Sequence, residues 1–340
     1  MKKKLILIAA CCLVTAVVCC SLFGCATEKT AQEEEKTLNF LVLGDSIGEA
    51  LLGPSPLSAR DQYAYCTLIG KVNGYSYHNR AVSGHQTGNL LDYISRPADD
   101  SAYTHISLIK NADIIDISIL GNDFLLADVN RFAKDGMQGD FSRAENILAG
   151  SYENICAIVD RIYELNPDVT LIMQTLYNPL FEDSIMFSEE VKAEMKEKGV
   201  DAYELGGALL NRLNDVLYRY LIAHPYRFYI ADVNSKFNYA YQQGVEYLDR
   251  YMYADCVHPS NEGHAAIFTT IQTVLEQIGL ADHNKAIANY KALVTERLKT
   301  YYSGTKVDVQ AISAAIWSAS TYDQINSLYF DATLDVVPQY

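Results

Sequence analysis

No two cysteines in this 340-residue chain stand at the two-residue spacing that grips a metal ion. Of the eight, Cys11, Cys12, Cys19, Cys20 and Cys25 crowd the first 25 residues, leaving Cys66, Cys156 and Cys256 for the rest. Three scattered thiols make no disulfide framework. At most one bridge is possible, and buried free thiols are the default. Histidine is also sparse: HExxH does not occur, and His78, His105, His224 and His283 show no ligand spacing. Neither a metal nor another cofactor is expected. Positive charge is scarce too. Lys+Arg number 27 against 42 Asp+Glu, a net charge of −15 with no basic stripe, which argues against nucleic acid as a partner. What is present is ordinary globular composition, 49% hydrophobic and 20% charged, enough to bury a sizeable core.

The chain opens with Lys2, Lys3 and Lys4, and then runs from Leu5 to Gly24 without a charge. Residues 1–24 read as an export signal; twenty uncharged residues would equally allow a retained membrane anchor. Leu22 to Cys25 resembles a bacterial lipobox. That resemblance implies that Cys25 is lipidated, becomes the mature N-terminus and holds the protein on the outer face of the cell membrane. Residues 25–37 then make the lipidated cysteine and a tether, since "ATEKTAQEEEK" at 26–36 is polar with no apolar period.

From Leu38 the pattern alternates. Strand-like runs at 38–43, 76–79, 112–120, 169–176 and 227–233 are separated by helical stretches, clearest at 146–165 and 205–222, with others at 88–95 and 260–278. Short apolar strands between helices indicate a parallel sheet covered on both faces. Residues 38–283 therefore predict one doubly wound α/β domain. Beyond it no strand signal occurs. Ile287, Tyr290, Val294, Leu298 and Tyr301 share one helix face, a second helical stretch lies around 312–316, and a third opens at Thr321 with Gln324 placed for a capping box. Residues 284–340 read as a small helical appendage.

The stretch "FLVLGDSIGEALL", residues 40–52, ends an apolar strand on Gly44-Asp45-Ser46. Three further blocks also follow strands: "NRAVSGHQT" with Gly84, Gly121-Asn122-Asp123, and "DCVHPSNEGH" with Asp255 and His258. In an open parallel sheet the carboxyl ends of the strands face one crevice, so residues some 210 apart can meet there. A serine hydroxyl needs a base, the base needs an orienting acceptor on its other nitrogen, and the tetrahedral intermediate needs preorganised donors. Ser46, His258 and Asp255 suit the first three roles. The N–H groups of Gly84 and Ser46 and the amide of Asn122 are the candidate donors.

These four blocks, in order and each after a strand, resemble the SGNH/GDSL hydrolase family over residues 38 to about 280. The resemblance implies a flavodoxin-like three-layer α/β/α fold on a five-stranded parallel sheet and a metal-free ester hydrolase. It implies Ser46 as nucleophile, His258 as base and Asp255 as its orienter, with Ser46, Gly84 and Asn122 forming the oxyanion hole. Gly44-Asp45-Ser46-Ile47-Gly48 also satisfies the G-x-S-x-G elbow of the α/β-hydrolases. Those enzymes place several strands before the elbow and a long stretch between acid and histidine. Here one strand precedes Ser46, and acid and base are three apart.

The reading is a surface-anchored serine esterase acting on O-acyl esters, either a lysophospholipid or an acetylated glycan, through an acyl-enzyme. The alternative is a catalytically idle scaffold that binds a ligand or partner. Asp45 reads as a turn hydrogen bonder, Cys256 as a packed thiol, and His85 and His264 as structural or rim residues. Two long connections, 124–142 and 178–203, leave the carboxyl ends of strands and carry apolar residues. Residues 180–198 are expected to form a flap whose charged face meets solvent. Phe181 and Phe187 would line the acyl pocket together with Phe124; plain packing on the domain is the rival reading.

Overall fold

The computed structural model describes residues 36–51, 63–97, 104–182 and 184–337. The export signal, Cys25 and nearly all of the tether lie outside the described residues. Residues 37–340 form one compact unit. Its strands are β1 (Asn39–Gly44), β2 (Ser76–Asn79), β3 (Ile114–Ser118), β4 (Thr170–Gln174) and β5 (Tyr229–Ala231). The helices, in chain order, are α1 (Tyr65–Asn73), α2 (Thr87–Ser95), α3 (His105–Asn111), α4 (Gly121–Leu125), α5 (Val129–Gly136), α6 (Ser142–Leu165) and α7 (Glu189–Lys198). They continue as α8 (Ala202–Ala223), α9 (Val233–Gln243), α10 (Val245–Tyr251), α11 (Asn261–Gln277), α12 (His283–Tyr302), α13 (Val309–Ser318) and α14 (Tyr322–Thr333).

The sheet is wholly parallel, in the order β2-β1-β3-β4-β5. This is a doubly wound order, with its switch point between β1 and β3. Successive side chains of a strand point to opposite faces, and β1 shows it directly. Phe40 and Val42 join the core on one face, while Leu41 and Leu43 join the core on the other. All four are buried, as a strand covered on both sides requires. The first core gathers α1, Tyr203 at the start of α8, and the helices from α9 onward; the second gathers α2 to α7 and the rest of α8.

The five predicted strands all form, each within a few residues of its expected ends. The long connection after β3 is not a plain loop, because α4 and α5 fold within it. Asp128 caps α5 by accepting from the Arg131 N–H. The connection after β4 holds α7, capped by Ser188 and closed by Gly199 at φ 65°. At α14, Thr321 caps the helix as expected, but the reciprocal bond of Gln324 goes to the Ser320 N–H rather than to Thr321.

The three C-terminal helices pack on the first core. Tyr290 of α12 is fully buried, its ring 4.7 Å from Phe268 of α11, and its hydroxyl lies 3.2 Å from that of Tyr63. Among the described residues, Cys66, Cys156 and Cys256 form no disulfide. No helix among the described residues is long and apolar enough to cross a membrane.

Candidate active site

Gly44 ends β1 at φ +126°, and the Asp45 N–H donates to the Ser118 carbonyl at 2.9 Å. The chain turns sharply there, against β3. Asp45 is buried; its Oδ1 accepts the Ile47 N–H at 3.0 Å and the Ser118 hydroxyl at 3.4 Å. Asp45 thus shapes the turn, as its sequence position suggested. Burial pushes its carboxyl up to about 7, against those hydrogen bonds. Ser46 is delivered half-buried at the turn's crest.

The segment from Met252 to Ser260 brings the base. A bridge between Met252 and Pro259 closes this loop, the Tyr253 N–H donates to the His258 carbonyl at 2.8 Å, and Cys256 takes a left-handed φ of 55° at the bend. Cys256 therefore sits at a strained corner between acid and base. Tyr177, just past β4, donates its hydroxyl to the Val257 carbonyl at 2.5 Å and pins the loop to the sheet.

Across 212 residues of sequence, His258 Nε2 stands 2.9 Å from Ser46 Oγ. His258 Nδ1 stands 2.6 Å from Asp255 Oδ2. Asp255 Oδ1 accepts the N–H groups of Val257 and His258 at 3.0 and 2.9 Å. Burial pushes the Asp255 carboxyl up, but the bonds from the His258 ring and the two backbone N–H groups outweigh it and hold it below the usual carboxylate range. An ionised carboxylate only accepts, so Nδ1 carries the proton. In the neutral imidazole Nε2 is then the bare nitrogen facing the serine hydroxyl.

Asn122 lies on α4, which starts after Leu120 at a left-handed φ of 92°. Its Nδ2 donates to the His85 carbonyl at 3.1 Å, which fixes which end of the amide is nitrogen and leaves its second hydrogen uncommitted by that bond. The neighbouring Asp123 is buried. It accepts the N–H and hydroxyl of Thr87 at 2.9 and 2.5 Å and the Ser151 hydroxyl at 3.0 Å, tying α4 to α2 and α6.

One cavity of about 230 Å³ has Ser46, His258, Gly84 and Asn122 in its lining. Its remaining wall is mainly apolar: Phe124 and Leu125 from α4, Leu176 after β4, and Leu210 and Leu213 from α8. The structure thus brings Ser46, His258, Gly84, Asn122 and Phe124 to one cavity, with Asp255 bonded behind His258.

It does not bring Phe181 or Phe187 there. Phe181 is buried among Tyr177 and Tyr203 in the first core, and Phe187 among Val191 and Met195 in the second. The expected flap is corrected accordingly: the apolar face of residues 180–198 packs on the domain, so those rings already have core partners. Ile185 and Leu126, from the same two connections, stay exposed. The sequence reasoning missed Leu176, Leu210 and Leu213. The α8 leucines carry only a helical apolar period, which reads the same whether the face meets core or cavity. His264 is fully buried and stacks on Tyr65 at 5.9 Å; burial lowers its imidazole to about 4, so it stays neutral. Among the described residues no group of three or more His, Cys, Asp or Glu is placed to hold a metal ion.

No protein-family model matches the chain, and no curated protein does. Solved structures do. A lipase from a goat rumen metagenome is 20% identical with a TM-score of 0.50, the match covering 70% of this chain and 97% of that one. A phospholipase A1 from Streptomyces albidoflavus is 14% identical with a TM-score of 0.50, covering 70% of this chain and 99% of that one. At such identities the likeness is one of fold: the chain shares the α/β fold of these two enzymes.

Proposed function

We propose that this chain is a serine ester hydrolase of the SGNH/GDSL type that works through an acyl-enzyme. The observation that carries the reading is the hydrogen-bonded row Ser46–His258–Asp255, at 2.9 and 2.6 Å, opening on an apolar cavity. His258 takes the Ser46 proton as Oγ attacks the ester carbonyl carbon. Asp255 holds the imidazole in the right tautomer and stabilises the imidazolium. The Gly84 N–H, the Asn122 amide and the Ser46 N–H take the oxyanion. The intermediate collapses as His258 protonates the departing alcohol oxygen. Water then attacks the acyl-enzyme by the same route in reverse and regenerates Ser46.

The cavity supports an acyl chain longer than acetyl. An apolar cavity of ~150 Å³ holds a benzene ring, and this one is about 230 Å³ with leucines at Leu176, Leu210 and Leu213. Of the two substrate classes that the sequence suggests, a lysophospholipid-like ester fits better than an acetylated glycan. The solved phospholipase A1 of the same fold accords with that choice. Attachment to the outer face of the cell membrane through a lipid on Cys25 belongs to the same proposal. It rests on the lysines, the apolar run and the lipobox-like stretch of the sequence.

The test is a ladder of p-nitrophenyl esters from acetyl upward, run on wild type and Ser46→Ala, with an organophosphonate probe on both. Turnover that rises beyond acetyl, with labelling that vanishes in Ser46→Ala, is the expected result. Undiminished turnover in Ser46→Ala overturns the assignment. For the anchor, mass spectrometry of the mature protein is expected to find lipid on Cys25, and Cys25→Ala to release the protein from membranes.

A further inference from the structure

We propose that Glu49 is a positioning residue for the oxyanion hole, and that its carboxylate clamps the Val82–His85 turn, which carries Gly84, to the nucleophile turn. The inference rests on the ester-hydrolase reading of Ser46. Glu49 follows Ser46 by three residues, and its N–H donates to the Asp45 carbonyl at 2.9 Å, so its backbone belongs to the turn that presents the nucleophile. Its side chain reaches across 34 residues of sequence. A single oxygen, Oε2, accepts both the Ser83 N–H, at 2.8 Å, and the Ser83 hydroxyl.

Ser83 sits inside a tight turn closed by the His85 N–H on the Val82 carbonyl at 3.1 Å. Gly84, the next residue, has φ +82°. Glycine is the most freely moving residue of the chain, so a turn built on it is soft unless something outside holds it. Packing reaches it only at its end, where the His85 ring meets Tyr93: Val82, Ser83 and Gly84 are exposed, and among the described residues no atom other than those of Gly84 and its chain neighbours lies within 4 Å of where a Gly84 Cβ would stand. The turn is tied at its start by the Val82 N–H on the Gly44 carbonyl, at 3.0 Å, at its end by Asn122 Nδ2 on the His85 carbonyl, and between the two, at Ser83 beside Gly84, by Glu49.

The same turn aims the second donor, because the His85 carbonyl accepts from Asn122 Nδ2. One loop therefore carries the Gly84 donor and orients the Asn122 donor, and Glu49 couples that loop to Ser46. Such donors act only when preorganised about 2.7–3.1 Å from the developing oxyanion. A carboxylate suits the clamp because hydrogen bonds to an ionised acceptor are about twice as strong as neutral ones.

The experiment uses the full chain in three variants, with active sites titrated so that kcat is read per competent site. Glu49→Ala is expected to lower kcat by about 10- to 100-fold with KM little changed, since a misplacement near 1 Å can cost ~10²-fold. It is expected to weaken a trifluoromethyl ketone, which forms a tetrahedral oxyanion on serine, by a similar factor. Glu49→Gln keeps a carbonyl oxygen able to accept both bonds, so it is expected to hold kcat within about 3-fold of wild type. Ser83→Ala removes one of the two bonds on an exposed loop, and an intermediate loss is expected. If Glu49→Ala does not fold, the Ser83→Ala and Glu49→Gln pair decides. Unchanged kcat per titrated site in Glu49→Ala or Ser83→Ala, or Glu49→Gln as impaired as Glu49→Ala, overturns the proposal. Turnover that survives Ser46→Ala overturns the reading beneath it instead.

Discussion

At Gly44 an added Cβ would stand 1.9 Å from the Ser118 carbonyl oxygen, in a backbone conformation at φ +126° that side chains rarely adopt. Gly44→Ala is therefore expected to displace Ser46 and abolish phosphonate labelling; labelling at the wild-type rate would show that the turn tolerates the change. Asp255→Asn keeps the shape but offers a donor where the imidazole needs an acceptor. A fall in kcat of about 10⁴ is expected, with the protein still folded by circular dichroism. Asp116, on β3, is a different kind of acid. It is fully buried, its Oδ2 accepting from Tyr65 Oη at 2.9 Å and Gln174 Nε2 at 2.7 Å, while Oδ1 has no partner among the described residues. Burial pushes this carboxyl up to about 7. Between the unfolded value of about 3.9 and 7 the folded state therefore holds more protons than the unfolded, so stability falls as pH rises through that window and levels off above it. Asp45, also raised to about 7, adds to the same slope. Asp116→Asn should flatten part of it, which melting temperatures from pH 4 to 8 will show; identical slopes would rule out this role for Asp116.

At the scale of elements, α4 and α8 make the cavity what it is. Leu210 and Leu213 are three apart on α8 and line the wall together with Phe124 and Leu125 of α4. A larger side chain there shortens the space without touching the hydrogen-bonded row. Leu213→Trp is expected to depress kcat/KM on long acyl esters while sparing the acetyl ester; a uniform loss would place Leu213 in packing alone. The segment around α7 behaves oppositely. Phe181 and Phe187 are each only 2% exposed and serve different layers of the core. Truncating both to alanine is expected to cost about 3–5 kcal/mol apiece in stability. The effect on all ester lengths should be equal, as melting curves beside the ester ladder will tell.

For the whole molecule, the C-terminal helices bear on how the chain is divided. Tyr290, Val294 and Leu298 of α12 and Ile325 of α14 are buried in one core with Phe40 of β1 and Phe268 of α11. Lys236 and Arg250, on α9 and α10, pair with Asp323 and Asp331 of α14 at 2.7 Å. Ending the chain at residue 283 would strip these partners and leave Tyr63 and Phe268 facing water. The truncated protein is expected to be poorly soluble and to melt well below the full chain. A soluble truncation with wild-type melting and turnover would instead mark residues 284–340 as a separable module.

The central strands β1, β3 and β4 were legible because each is a short, mostly apolar run between turn formers, as burial on both faces requires; edge strand β2, Ser-Tyr-His-Asn and only half-buried, was legible from its place in the alternation instead. The order Gly44-Asp45-Ser46, Gly84, Asn122 and Asp255-x-x-His258 was legible for a related reason. Each block follows a strand, and parallel strands send all such turns to one edge. Sequence alone therefore determined the doubly wound layout and which residues could meet. Tertiary structure decided everything that depends on which surface an apolar face meets. A helical period says that Leu210 and Leu213 share a side of α8, and an apolar loop says that Phe181 and Phe187 need cover. Neither says whether the cover is core or an open cavity, because burial in protein and burial by a ligand reward the same side chains. Long-range polar pairs such as Glu49 with Ser83 were hidden for a different reason: a hydrogen bond across 34 residues leaves no period in the chain, and only the folded backbone brings its two ends within reach.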